Sequence, residues 1–171
     1  MQKVKLPLKV DPVRAAQKQL DYDGIIKAEL LTRLAESTQS VKSDANVTLS
    51  FDFDRRHLAV MHGSADVEVT LTCQRCQEEF NHTSSVEFCY SPLLKTDEDD
   101  EFPEAYEPAE VDENGEINLV EIIEDELILD LPQIAMHDDA DCKVSSSDKV
   151  FGKLPIADER PNPFAVLKQS K

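Results

Sequence analysis

Asn46-Val-Thr-Leu-Ser-Phe-Asp-Phe53 alternates apolar and polar side chains without a break, Val47, Leu49, Phe51 and Phe53 against Thr48, Ser50, Asp52 and then Asp54. A period of two puts the apolar set on one face of a strand and leaves the other face to water. The same period recurs at Ala65, Val67, Val69, Leu71 and Cys73, and again at Val86, Phe88 and Tyr90. Asp54-Arg55-Arg56 reads as the turn after the first strand. Leu58 and Val60, closed off by Gly63, read as a short second strand. Four strands with short turns between them predict an antiparallel meander with one buried face.

Upstream the period changes. Residues 1–10 alternate Val4, Leu6, Leu8 and Val10 with Lys3, Lys5 and Lys9, the pattern of an extended arm or edge strand, and Pro7 argues against a central one. Asp11-Pro12 is a helix start, an acidic cap followed by proline at the first helical position. That helix is expected to run to about Leu20 and to be broken by Asp23-Gly24. A second helix is expected over Lys27–Glu36, with Leu30, Leu31 and Leu34 on one stripe. Downstream, Asn118-Leu-Val-Glu121 resembles a capping box and opens a helix over 119–130. Its stripe of Leu119, Ile122, Ile123 and Leu127 is expected to face the sheet while Glu121, Glu124 and Asp125 face water; Pro132 ends it. The fold class is therefore α+β: a meander with N-terminal helices and one acidic C-terminal helix packed on it. Residues 1–171 read as a single domain, with an acidic loop over 94–110 and a largely irregular segment over 133–171, preceded by Pro132 and holding Pro155, Pro161 and Pro163, which disrupt any period.

Charge narrows the function. The chain has 171 residues, with 35 acids against 18 bases for a formal net charge of −17. It is not spread evenly: 95–126 holds 15 Asp or Glu and only Lys95, whereas the first 18 residues carry Lys3, Lys5, Lys9, Arg14 and Lys18 against Asp11 alone. A uniformly acidic surface repels phosphate backbones; a basic arm beside a separate acidic segment need not. Lys3, Lys5, Lys9, Arg14 and Lys18 are thus the candidate contacts to RNA or to an RNA-containing particle. The acidic stretch reads first as a solvated loop, and second as a contact for a basic protein or a mimic of RNA. No stretch approaches the roughly 20 apolar residues of a membrane span. The first residues lack the apolar run of a secretory signal, so a cytoplasmic protein is expected, with no membrane contact.

Cys73-Gln-Arg-Cys76 is the sharpest local feature. Two cysteines at this spacing on a tight turn can present both sulfurs to one tetrahedral metal. His137 and Cys142 are the candidates to complete a closed Cys3His structural zinc site with Cys73 and Cys76. Reduced, partly buried thiols are the alternative, and a redox pair is disfavoured because the motif opens no helix of a βαβ unit. Cys89, between Phe88 and Tyr90, reads as a core residue; His57, His62 and His82 read as strand-end or surface residues. No GxSxG, HExxH, GxGxxG or phosphate-cradling loop is present, and 4 glycines give little material for one. No residue is assigned a catalytic role and no small-molecule substrate is implied.

Several segments carry a resemblance. Met1-Gln-Lys-Val-Lys-Leu-Pro-Leu8, Asp11-Pro-Val-Arg14, Leu58-Ala-Val60 and Thr72-Cys-Gln-Arg-Cys76 are similar to the YceD family, the bacterial large ribosomal RNA subunit accumulation proteins. So are Pro103-Glu-Ala-Tyr-Glu-Pro108, Asp125-Glu-Leu-Ile-Leu129 with Leu131-Pro132, Val150-Phe-Gly-Lys-Leu-Pro155 and Pro161-Asn-Pro-Phe-Ala-Val-Leu167. They lie in order along nearly the whole chain, in the version of gamma-proteobacteria. The resemblance implies a non-enzymatic role in synthesis, processing or stability of 23S ribosomal RNA, hence in large-subunit biogenesis. The expected partner is large-subunit ribosomal RNA or its precursor particle. The alternative is an acidic, chaperone-like adaptor for a basic ribosomal protein. More distant members carry additional cysteines near the C-terminus; this chain retains Cys142 without that richer set.

Overall fold

The computed structural model describes residues 4–93 and 102–144, the side chains of Val4 and Lys5 excepted. The chain divides into two compact units, Met1–His137 and Asp138–Lys171. In the first, the elements in chain order are β1 (Val4–Lys5), β2 (Lys9–Val10), α1 (Pro12–Gln17), β3 (Asp21–Ile26), α2 (Thr32–Ser37), β4 (Ser40–Val41) and β5 (Ala45–Phe53). There follow β6 (Ala59–Thr72), β7 (Glu79–Leu93), β8 (Glu107–Glu110), β9 (Ile117–Asn118) and α3 (Leu119–Leu129). The fold is α+β and mostly antiparallel, as the alternation predicts.

A seven-stranded sheet runs β1-β3-β5-β6-β7-β8, and β4 continues the ladder along β6 beyond the start of β5. The inner members β3, β5, β6 and β7 are antiparallel neighbours. Both outer pairs, β1 with β3 and β7 with β8, are parallel. Parallel partners need a crossover rather than a hairpin. The chain supplies one at each edge, through β2 and α1 on one side and through 94–106 on the other. Part of the expected acidic loop at 94–110 is therefore strand β8, while 94–101 lies outside the described residues. The N-terminal arm is extended as expected; its β2 pairs with β9, so that Lys9 faces Asn118 and Val10 faces Ile117.

Two glycines read as terminators sit inside strands. Gly24 is buried in β3 opposite Val47, so Asp21–Ile26 is a strand rather than the break between two helices. Gly63 lies within β6, which joins the two strands expected at Leu58–Val60 and Ala65–Cys73 into one of 14 residues. The reason is cross-strand packing: a Cβ at Gly63 would stand 2.1 Å from the Phe88 ring. The ring of β7 fills the space that a side chain on β6 would take, so glycine is required by close approach.

The helices are shorter than their sequence signals. Asp11 caps α1 by accepting from the Arg14 N–H at 2.9 Å, but Gln19 turns left-handed at φ 47° and the chain leaves for β3. The expected helix over 27–36 is a 3-10 turn at Ala28–Leu30 followed by α2. Of its stripe, Leu31 and Leu34 are fully buried and Leu30 is exposed. α3 follows its prediction: Asn118 caps it through Glu121 N–H, and Leu119, Ile123 and Leu127 are wholly buried, with Ile122 partly so. Glu124 departs from expectation. It is buried at 4% exposure rather than facing water, because one carboxylate oxygen accepts from the Arg33 and Leu34 N–H groups at 2.7 and 3.0 Å. Its other oxygen accepts from Arg33 Nε at 3.0 Å. Helix α2 has no cap from its own N-cap residue Leu31, so a carboxylate from α3 does that work across the core. No helix among the described residues is long and apolar enough to cross a membrane.

Candidate metal centre

The β6–β7 connection is a knuckle built from Cys73-Gln-Arg-Cys76 and Gln77. Cys73 N–H donates to the Glu78 carbonyl and Gln77 N–H to the Cys73 carbonyl, both at 2.8 Å. Such closure usually calls for glycine; here Gln77 takes the left-handed conformation at φ 65°. A second strand of chain is tied to the knuckle: Gln74 N–H donates to the Ala135 carbonyl at 2.8 Å, and Gln74 Nε2 to the Gln133 carbonyl at 3.3 Å. Those bonds deliver His137, whose ring also packs against Phe80 at a centroid distance of 5.5 Å. A gap of 61 residues between Cys76 and His137 is thus closed by backbone pairing.

The ligand atoms of Cys73, Cys76 and His137 lie within 4.8 Å of one another, and Cys76 Sγ is 3.7 Å from His137 Nε2. Zinc–sulfur and zinc–nitrogen bonds of about 2.3 and 2.0 Å at tetrahedral angles put such a pair about 3.6 Å apart, so the spacing fits. The electrostatics fit too. Cys73 is fully buried, and burial raises its thiol pKa. The N–H groups of Cys76, Arg75 and His137, with the Cys76 thiol, outweigh that and hold it down at about 6. Backbone donors converging on a buried sulfur stabilise the thiolate, which is the form that ligates a metal. The described residues thus include a Cys3His set of zinc-binding composition, Cys73, Cys76, His137 and Cys142. Cys142 belongs to the second unit, where it is half-buried just after a turn closed by Asp141 N–H and the Asp138 carbonyl at 3.0 Å.

The other cysteine and the histidines divide differently from expectation. Cys89 is only half-buried, since it points away from the helices; desolvation nonetheless raises its pKa. His57 and His62 are exposed, and His57 takes a left-handed turn at φ 63°. His82 is half-buried, three residues into β7.

The basic arm is partly spoken for. Lys9 Nζ binds Asp112 at 2.7 Å, and this hydrogen bond and charge, with the Glu116 and Asn114 N–H groups, hold the Asp112 pKa down at about 2. Arg14 pairs with Asp11 at 3.1 Å. Lys18 is exposed, Lys3 lies outside the described residues, and the Lys5 side chain does too. Sequence reasoning saw Lys9 but not its partner, because Asp112 is 103 positions away.

Comparison with known proteins agrees with this chain along its length. The family model described as large ribosomal RNA subunit accumulation protein YceD matches residues 61–171. The chain is 53% identical over 173 aligned positions to the large ribosomal RNA subunit accumulation protein YceD of Haemophilus influenzae, covering all of this chain and 99% of the relative. No solved structure matches. With a match over well more than half its length and a relative of that identity end to end, the chain belongs to the YceD family of large ribosomal RNA subunit accumulation proteins.

Proposed function

We propose that this chain is a non-enzymatic factor in the synthesis, processing or stability of 23S ribosomal RNA, acting in large-subunit biogenesis. The observation that carries the reading is the full-length similarity to a relative whose name states a role in accumulation of that subunit's RNA. Electrostatics decide how it reaches the RNA. With a formal charge of −17, and with Lys9 and Arg14 already paired, the basic arm has only three cations left to neutralise phosphates. The chain therefore binds a protein-containing precursor particle rather than bare RNA. Purified protein should co-sediment with precursor large subunits at 200 mM salt, roughly the upper physiological range, and release naked 23S fragments there. Lys3→Glu with Lys5→Glu and Lys18→Glu, which spare the paired Lys9 and Arg14, should weaken particle association about tenfold. Tight binding to bare RNA that ignores these reversals would refute the electrostatic part.

The Cys3His cluster takes a structural part in this reading. One zinc held by Cys73, Cys76, His137 and Cys142 would be closed to substrate, since four protein ligands leave no open position. The four residues between His137 and Cys142 span at most about 17 Å, so the tether allows the fourth ligand. Elemental analysis of gently purified protein should give about one zinc per chain, and a chelator should lower the unfolding midpoint. Less than about a tenth of an equivalent would exclude the site. Cys76→Ser should abolish retention while Cys89→Ser leaves it intact.

A further inference from the structure

The face of the sheet turned away from the helices is a built groove. Across β3, β5, β6 and β7 one register row runs Asp21, Ser50, His62, Cys89. The next runs Asp23, Thr48, Ser64, Glu87. Together they line a concavity of about 750 Å³. Asp21, Asp23, Thr48, Ser50, His62 and Glu87 are all exposed, so no described element covers the groove. Its chemistry is one-sided. At the outward positions of these four strands stand carboxylates, hydroxyls and amides beside Ile25, Val60, His62 and Cys89, with Asp52, Asp66, Glu68 and Glu79 beyond the groove, and not a single Lys or Arg. Phosphate is repelled by such a surface, and a cationic polypeptide is attracted.

We infer that this groove seats an extended Lys/Arg-rich polypeptide segment, an inference that rests on the reading of the chain as a factor meeting its RNA in company with basic protein. The spacing suits it. Strands about 4.8 Å apart put Asp23 and Glu87, on the outer two of the four, about 14 Å apart, while Asp21 and Asp23 stand about 7 Å apart along one strand. In an extended segment, residues i and i+4 are separated by about 14 Å and i and i+2 by about 7 Å. Laid across the strands, cations at i and i+4 can therefore meet Asp23 and Glu87, with Asp21 adding charge one row away, and Thr48, Ser50 and Ser64 offer hydroxyls to the intervening backbone.

The probe is a 12-residue peptide with Lys or Arg at every second position, titrated into the full chain at 100 mM salt beside a 12-nucleotide RNA. The peptide should bind and shift the backbone amide resonances of Asp23, Thr48, Ser64 and Glu87, and the RNA should not. Asp21→Asn with Asp23→Asn and Glu87→Gln should weaken the peptide at least tenfold. The charge-matched set Glu104→Gln, Glu113→Gln and Glu116→Gln, none of which lines the groove, should change it less than twofold. Should the first triple variant fail to fold, Ser64→Lys puts a cation into the groove without removing a carboxylate and should give the same loss. Equal weakening by both triples would overturn the inference in favour of diffuse attraction, as would RNA shifting the groove resonances or no peptide binding at all. Failure here leaves the ribosomal RNA role standing, because that role is read from 23S levels in cells; loss of that role with peptide binding intact would strike the proposed function alone.

Discussion

Ile123→Asp is expected to cost more than about 4 kcal/mol, a large share of the roughly 5–15 kcal/mol that holds a domain folded. Ile123 is wholly buried in the middle of the α3 stripe, with Leu119 and Leu127 a turn away on either side and both equally buried. A carboxylate placed there has no described cation within the apolar cluster to pair with, so it must either protonate or pull the helix off the sheet. Urea unfolding checks this, with the slope compared as well as the midpoint. Parental stability in the variant would show that the stripe is not part of the core.

Glu124→Ala is expected to cost about 3 kcal/mol, although alanine is the better helix former. The loss strands the N–H groups of Arg33 and Leu34 at the start of α2 and removes the acceptor for Arg33 Nε. Arg33 itself is 45% exposed at its side chain and keeps Asp125, so most of the cost is the unpaired backbone donors rather than the ion pair. Glu124→Gln, whose amide oxygen can still accept from both N–H groups, should lose about half as much. Arg33→Ala should be milder than Glu124→Ala; the reverse order would mean that the guanidinium, not the helix start, is what Glu124 holds.

Local pattern carried the sheet and both helix caps. Val47 to Phe53 alternates because one face is buried, and Asn118 caps because its side chain reaches Glu121 N–H; each signal lies within a few residues. Gly24 and Gly63 were misleading for a physical reason. Glycine marks an end when it supplies a turn, but the Phe88 ring over Gly63 comes from a strand 25 positions on. The parallel edges and the burial of Glu124 likewise depend on partners far along the chain. At the candidate metal centre, Cys73 and Cys76 are legible from spacing alone. What brings His137 beside them is the pairing of Gln74 with Ala135, which no short motif announces. The groove was legible only as polar alternation; the lack of Lys and Arg on its four strands emerges once they are placed in register.

The central claim, that this chain serves large-subunit ribosomal RNA, is tested most directly by the ratio of 23S to 16S RNA in cells depleted of it. The ratio should fall, and be restored by the parent chain but not by the Cys76→Ser or Ile123→Asp forms. An unchanged ratio under complete depletion would contradict the account.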